Sequence, residues 1–160
     1  MFGRIREEVR TLADVSLAVR VIGWALVLPI VKHLIPVRSL ASVMHQAPVL
    51  TVRDAALERR IITLARWGTR LTRWKSGGNC LERGMIAYRY LTAAGAQPTL
   101  VIGIGRNERG VAGHAWVLVD QRLVGEPRSA IAPYTPVFAF GPDGQLDPRS
   151  TAAPRNMPAN

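Results

Sequence analysis

Residues 78–95 read GNCLERGMIAYRYLTAAG, and residues 113–126 read GHAWVLVDQRLVGE. The first stretch offers Asn79 as a helix cap and closes on Gly95, the residue best suited to a helix C-terminus. Glu82, three residues after Asn79, completes a pattern in which cap and acid each bind the other's backbone N–H. A helix over roughly Asn79 to Gly95 follows, with Cys80 in its first turn. In the second stretch His114, Trp116 and Leu118 alternate with Ala115, Val117 and Val119, the period of two expected of a half-buried strand. Thr99 to Ile104 and Arg122 to Gly125 are strand-like too, with turns at Asn107 to Gly110 and at Asp120-Gln121. The order is therefore helix, then three antiparallel strands, an α+β arrangement.

Upstream, Arg4 to Leu34 predicts one or two helices, since Leu12, Val15, Val19, Ile22 and Leu26 recur at helical spacing and Pro29 and Pro36 punctuate the run. Arg38 to His45 reads as a short helix and Ala47 to Val52 as an extended linker containing Pro48. Thr51 to Asp54 starts a further helix, whose apolar face of Ala55, Ile61, Ile62, Leu64, Ala65, Leu71 and Trp74 carries it to about Trp74. From Gly141 onward large apolar residues nearly vanish, which predicts a disordered tail. The expected organisation is a helical region at 1–50, a core at 51–140 and a tail at 141–160, with no internal repeat.

At 160 residues the chain has the length of one domain, and its 48% apolar content is that of a globular protein. A single cysteine excludes an internal disulfide and a multi-cysteine zinc cluster, and fits a reducing cytoplasm. No metal and no cofactor are expected. The net charge of +10 is almost wholly arginine, because Lys32 and Lys75 are the only lysines. Charge of this sign suits nucleic acid, anionic lipid or an acidic peptide. The arginines are spread along helices without a recognised nucleic-acid motif, so nucleic acid is not an expected partner. Val21 to Val31, interrupted by Pro29 and bounded by Arg20 and Lys32, falls short of the roughly 20 apolar residues that span a bilayer. It predicts a buried helix, with peripheral membrane contact as the alternative.

A cysteine in a first helical turn faces unpaired backbone N–H groups and the positive end of the helix dipole, both of which favour thiolate over thiol. The opposing reading is a small residue filling the core. The glycine pair and the first-turn position raise the nucleophile reading of Cys80 to a par with core filling, and His114, 34 residues later on the sheet behind the helix, is its candidate base, with a structural strand histidine as the competing role. Two acids are candidates for orienting the imidazole. Asp120 is six strand residues beyond His114, about 20 Å away, and suits a hairpin tip. Glu126 returns close to His114, although a strict two-residue turn would set it opposite Ala115, on the wrong face. A bulge or an odd-length loop would correct this, and Gly125 suits a bulge, so Glu126 is preferred. Trp74 offers an indole N–H as a second oxyanion donor, with core packing as the competing role. His33 and His45 have no comparable context.

NCLERGMIAYRYLTAAG, LVIGIGR and GHAWVLVDQRLVGE, in this order, resemble the leader peptidase of lasso-peptide biosynthesis, a transglutaminase-like cysteine protease family. The likeness covers about Trp74 to Pro136, including Pro133-Tyr134-Thr135-Pro136. Leu34-Ile35-Pro36-Val37-Arg38 is similar to the family's variable helical region. The resemblance implies a transglutaminase/papain-like core in which Cys80 and His114 form the catalytic pair. It implies an acid at Glu126, where the family usually has aspartate. It further implies a precursor-peptide substrate, a separate leader-recognition protein and an ATP-dependent lasso cyclase as partners. The residues themselves leave two alternatives open: acyl transfer to an amine, or a silent scaffold that binds precursor or cyclase.

Overall fold

The computed structural model describes residues 12–50, 52–71, 79–107 and 110–147. Expectations for Arg4 to Thr11, for Trp74 and for Ser76-Gly77-Gly78 lie outside these residues, as does that part of the tail from Pro148 on. Among these residues four helices come first: α1 Leu12–Leu34, α2 Val37–Met44, α3 Ala55–Leu71 and α4 Cys80–Ala93. They are followed by β1 Pro98–Asn107, β2 Gly110–Val119, β3 Arg122–Val124, the short α5 Arg128–Ile131 and β4 Tyr134–Phe140. The strands form one antiparallel sheet in the order β3-β2-β1-β4.

β4 was not among the expected strands, because Pro133 and Pro136 argue against one. A proline removes one ladder hydrogen bond, which an edge strand tolerates, and β4 is an edge. Its pairing with β1 shifts register between Ile102 and Gly103, next to Pro136. The first residues of the expected tail are ordered. Gly141 and Gln145 close a turn, Leu146 bridges back to Phe140, and Ser42 donates to the Gly144 carbonyl. Residues 141–147 are thus packed through backbone bonding that composition does not reveal.

The alternation in β2 sorts the core into two layers. Val117 and Val119 join Leu100, Phe140, Met85, Ile86, Tyr88 and Leu91 on the helix side. Trp116 joins Val101 and Ile131 on the other. The helix-side cluster also takes in Val21, Ala25 and Leu28 of α1 and Leu40 and Met44 of α2, so residues before 51 build the same core as those after it. α4 rests on β1 and β2 at Gly84, where an added Cβ would lie 3.2 Å from Leu100 Cδ1 and 3.7 Å from the Ala115 Cβ. This close approach fixes the height of Cys80 over the sheet.

α1 departs from the sequence reading in two ways. It is continuous through Pro29, so Asp14–Leu34, with mean hydropathy 1.8, is long and apolar enough to cross a membrane by length and composition. Nor is it a buried helix. One side packs Val21, Ala25 and Leu28 into the core, while Val15, Val19, Ile22, Leu26, Ile30 and Leu34 are exposed. The residues whose helical spacing marks the segment, Val15, Val19, Ile22 and Leu26, are thus its outer face, because a helix with two apolar stripes does not reveal by spacing alone which stripe is buried.

Candidate active site

Cys80 opens α4, and its half-exposed thiol points at the Gly113 carbonyl, 3.9 Å away. The capping box does not form. Asn79 makes no side-chain cap; its Nδ2 donates instead to the Thr69 carbonyl at the end of α3, at 2.7 Å. Glu82 is turned into the interior, where Lys32 of α1 reaches it at 2.7 Å. A buried carboxylate without a cation is costly, so the pairing with Lys32 outweighs a local backbone bond. The two contacts replace a local cap with tertiary anchors, and they set α4, hence Cys80, against α3 and α1.

His114 lies on β2 one residue past the carbonyl that Cys80 touches. Its Nε2 is 2.8 Å from Glu126 Oε2, whose side chain is 9% exposed. The β2–β3 register, continued, would pair Glu126 with Ala115. It does not continue: the ladder ends at Val124, and Gly125, at φ +82°, turns the chain so that Glu126 comes to the His114 face. Asp120 and Gln121 both have positive φ, forming the two-residue hairpin tip, and Asp120 binds Arg53 at 2.8 Å. The structure thus brings Cys80, His114 and Glu126 to one end of the sheet and leaves Asp120 at the other.

Two further side chains complete the site. Arg83, one turn after Cys80, donates to Glu126 Oε2 at 3.2 Å, so that imidazole and guanidinium share one oxygen. Its spacing of three from Cys80 puts both on one helix face, a signal available in the sequence. Tyr134 stacks on the imidazole, with centroids 4.9 Å apart and planes at 23°. Trp116 lies beyond at 6.1 Å. A Cβ at Gly105 would strike the Pro133 carbonyl and approach the Tyr134 ring at 3.0 Å, so the bare strand is what lets the ring lie flat. No sequence signal pointed to Tyr134, since its strand was unread.

The ionised carboxylate only accepts, so the His114 Nε2 carries a hydrogen and Nδ1 is the nitrogen left to take a proton. Arg83 supplies positive charge that keeps the carboxylate in place. Around Cys80 an open cleft of about 330 Å³ is lined by Asn79, Cys80, Arg83, Ala112, Gly113, His114 and Tyr134. Two of the three residues read from the sequence as nucleophile, base and orienting acid, Cys80 and His114, thus line one cleft, and the third, Glu126, binds the imidazole beside it. Among the described residues no three His, Cys, Asp or Glu side chains are grouped to hold a metal ion.

Residues 14–139 match the family model described as the transglutaminase-like superfamily. No curated protein and no solved structure matches the chain.

Proposed function

Because the chain belongs to the transglutaminase-like superfamily, we propose that it is a cysteine peptidase that removes the leader segment from a ribosomally made lasso-peptide precursor. The observation that carries the chemistry is Cys80 at the head of α4, in one cleft with an imidazole whose Nε2 is held by Glu126. The precursor as substrate rests on the sequence resemblance of residues 74–136. His114 Nδ1 takes the thiol proton, and the thiolate attacks the carbonyl at the leader–core junction. The backbone N–H of Cys80 faces the developing oxyanion. The imidazolium returns its proton to the departing amine, and water then hydrolyses the thioester.

The test is incubation of the chain with precursor and recognition protein, followed by mass spectrometry. The expected products are leader acid and free core amine. An amide formed with an added primary amine, in place of the acid, would assign acyl transfer instead.

Delivery follows from the same reading, with the precursor brought by a separate recognition protein and the trimmed core passed to an ATP-dependent cyclase. A tethered leader presents its scissile bond at an effective concentration of about millimolar. Cleavage of micromolar precursor should therefore rise by at least about tenfold when the recognition protein is added. Equal initial rates with and without it would remove that partner from the scheme.

Tyr134 gives a prediction on positioning. Tyr134→Ala removes a stacked ring, an interaction of about 0.5–1.5 kcal/mol, and should slow turnover roughly two- to tenfold. Tyr134→Phe keeps the ring and should restore the rate. A loss common to both variants would transfer the role to the hydroxyl.

A further inference from the structure

α1 presents to solvent a ridge of Val15, Val19, Ile22, Leu26, Ile30 and Leu34 that the fold does not use. Val19, Leu26, Ile30 and Leu34 are 62, 56, 65 and 76% exposed, as a solvated helix face seldom is for large aliphatic residues. From Val15 to Leu34 the ridge is about 29 Å long at the rise of an α-helix. The inner side of the same helix is held in the core by Val21, Ala25 and Leu28, and by Lys32 on Glu82, so α1 does not leave the domain to cross a bilayer.

Charge and composition narrow the occupant. Residues 12–50 hold one carboxylate, Asp14, which is 4% exposed and bound to Arg60, whereas Arg20, His33 and Arg38 are exposed. A second copy would set +10 against +10 across the contact. A protein partner is usually engaged through aromatic, Met or Arg anchors, and this ridge has only Val, Ile and Leu. A convex aliphatic ridge on an element pair that exposes Arg20 and Arg38 and, among the described residues, no carboxylate suits hydrocarbon beneath an anionic headgroup layer.

We propose that the outer face of α1 is a membrane-docking surface, lying in the plane of an anionic bilayer with its aliphatic ridge among the acyl chains. Docking is independent of the chemistry at Cys80. Since Lys32 joins α1 to α4 two residues past Cys80, it fixes the position of the cleft relative to the lipid.

The test is flotation of the full chain with vesicles of equal phosphatidylcholine and phosphatidylglycerol, and with phosphatidylcholine alone. The wild type should float with the mixed vesicles and bind pure phosphatidylcholine at least about tenfold more weakly. Leu26→Gln with Ile30→Gln should weaken binding to mixed vesicles at least about tenfold. Val19→Gln with Leu34→Gln serves as a second pair, and an unchanged melting temperature and Cys80 alkylation rate identify a folded variant. Undiminished binding by either folded pair overturns the proposal, as does equal binding to both lipids. Absence of binding by the wild type also overturns it, and a concentration-dependent dimer in sedimentation would then assign the ridge to a second copy.

Discussion

Cys80→Ser should leave no detectable leader removal, while the circular dichroism spectrum and melting temperature stay at wild-type values. The structural part follows from how little the thiol holds: its contact is a 3.9 Å approach to the Gly113 carbonyl, and the half-exposed residue can exchange sulfur for oxygen without opening a cavity. The chemical part follows from the nucleophile. A thiol yields its proton to an imidazole readily, whereas a hydroxyl needs a base acting in concert with attack. A fall of at least about 10³-fold is expected, measured as product formed with saturating recognition protein. Cleavage retained by a folded Cys80→Ser protein would end the cysteine-peptidase reading. Fast alkylation of wild-type Cys80 by iodoacetamide at pH 6, where an ordinary thiol is almost wholly protonated, is the companion measurement. It would also set aside the silent-scaffold alternative.

The start of α4 was legible because glycine, a polar cap residue and an apolar run are local signals. Its hydrogen bonds were not, because Glu82 and Asn79 find partners in Lys32 and Thr69, 50 and 10 residues away, which no local pattern contains. β2 was legible through its alternation, and with it the face that His114 occupies. β4 was hidden by prolines that only its place at the sheet edge makes acceptable. The outer side of α1 was misread for another reason, since Val15, Val19, Ile22 and Leu26 do recur at helical spacing, but a second apolar stripe through Val21, Ala25 and Leu28 takes the core. Tyr134 illustrates the limit: a stacking partner for the imidazole arrives from a strand that the sequence does not announce, over a glycine, Gly105, whose use is visible only once the ring is above it. Glu126 stood between these cases. Register alone put it on the wrong side of β3, and the glycine before it was the one hint that register would fail.

Glu126→Gln is expected to lower kcat by between about 10² and 10⁴-fold, and Asp120→Asn to leave it within about twofold. Glu126 Oε2 receives both the imidazole Nε2 and the Arg83 guanidinium, at 2.8 and 3.2 Å. Glutamine keeps the length of the chain and one acceptor oxygen, but it removes the negative charge that stabilises the imidazolium. It also offers an NH₂ group that, facing Nε2, would turn that nitrogen into an acceptor and move the hydrogen to Nδ1, where it blocks proton transfer from Cys80. The upper bound is the loss seen for the orienting acid of a serine-protease triad. A smaller loss is expected for a thiol nucleophile, whose attack leans less on the orienting acid than that of a hydroxyl. Arg83, left facing a neutral amide, adds positive charge beside the imidazolium and acts in the same direction. Asp120 has no such part. It sits at the hairpin tip with φ +50°, a conformation asparagine also adopts, and its bond to the exposed Arg53 is of the surface kind worth about 0–1 kcal/mol. Both variants should be assayed at saturating recognition protein, so that a change in delivery does not pass for a change in chemistry. Should Asp120→Asn lose the activity that Glu126→Gln keeps, the turn at Gly125 does not present the acid to His114 in the working enzyme, and the orienting role passes to Asp120.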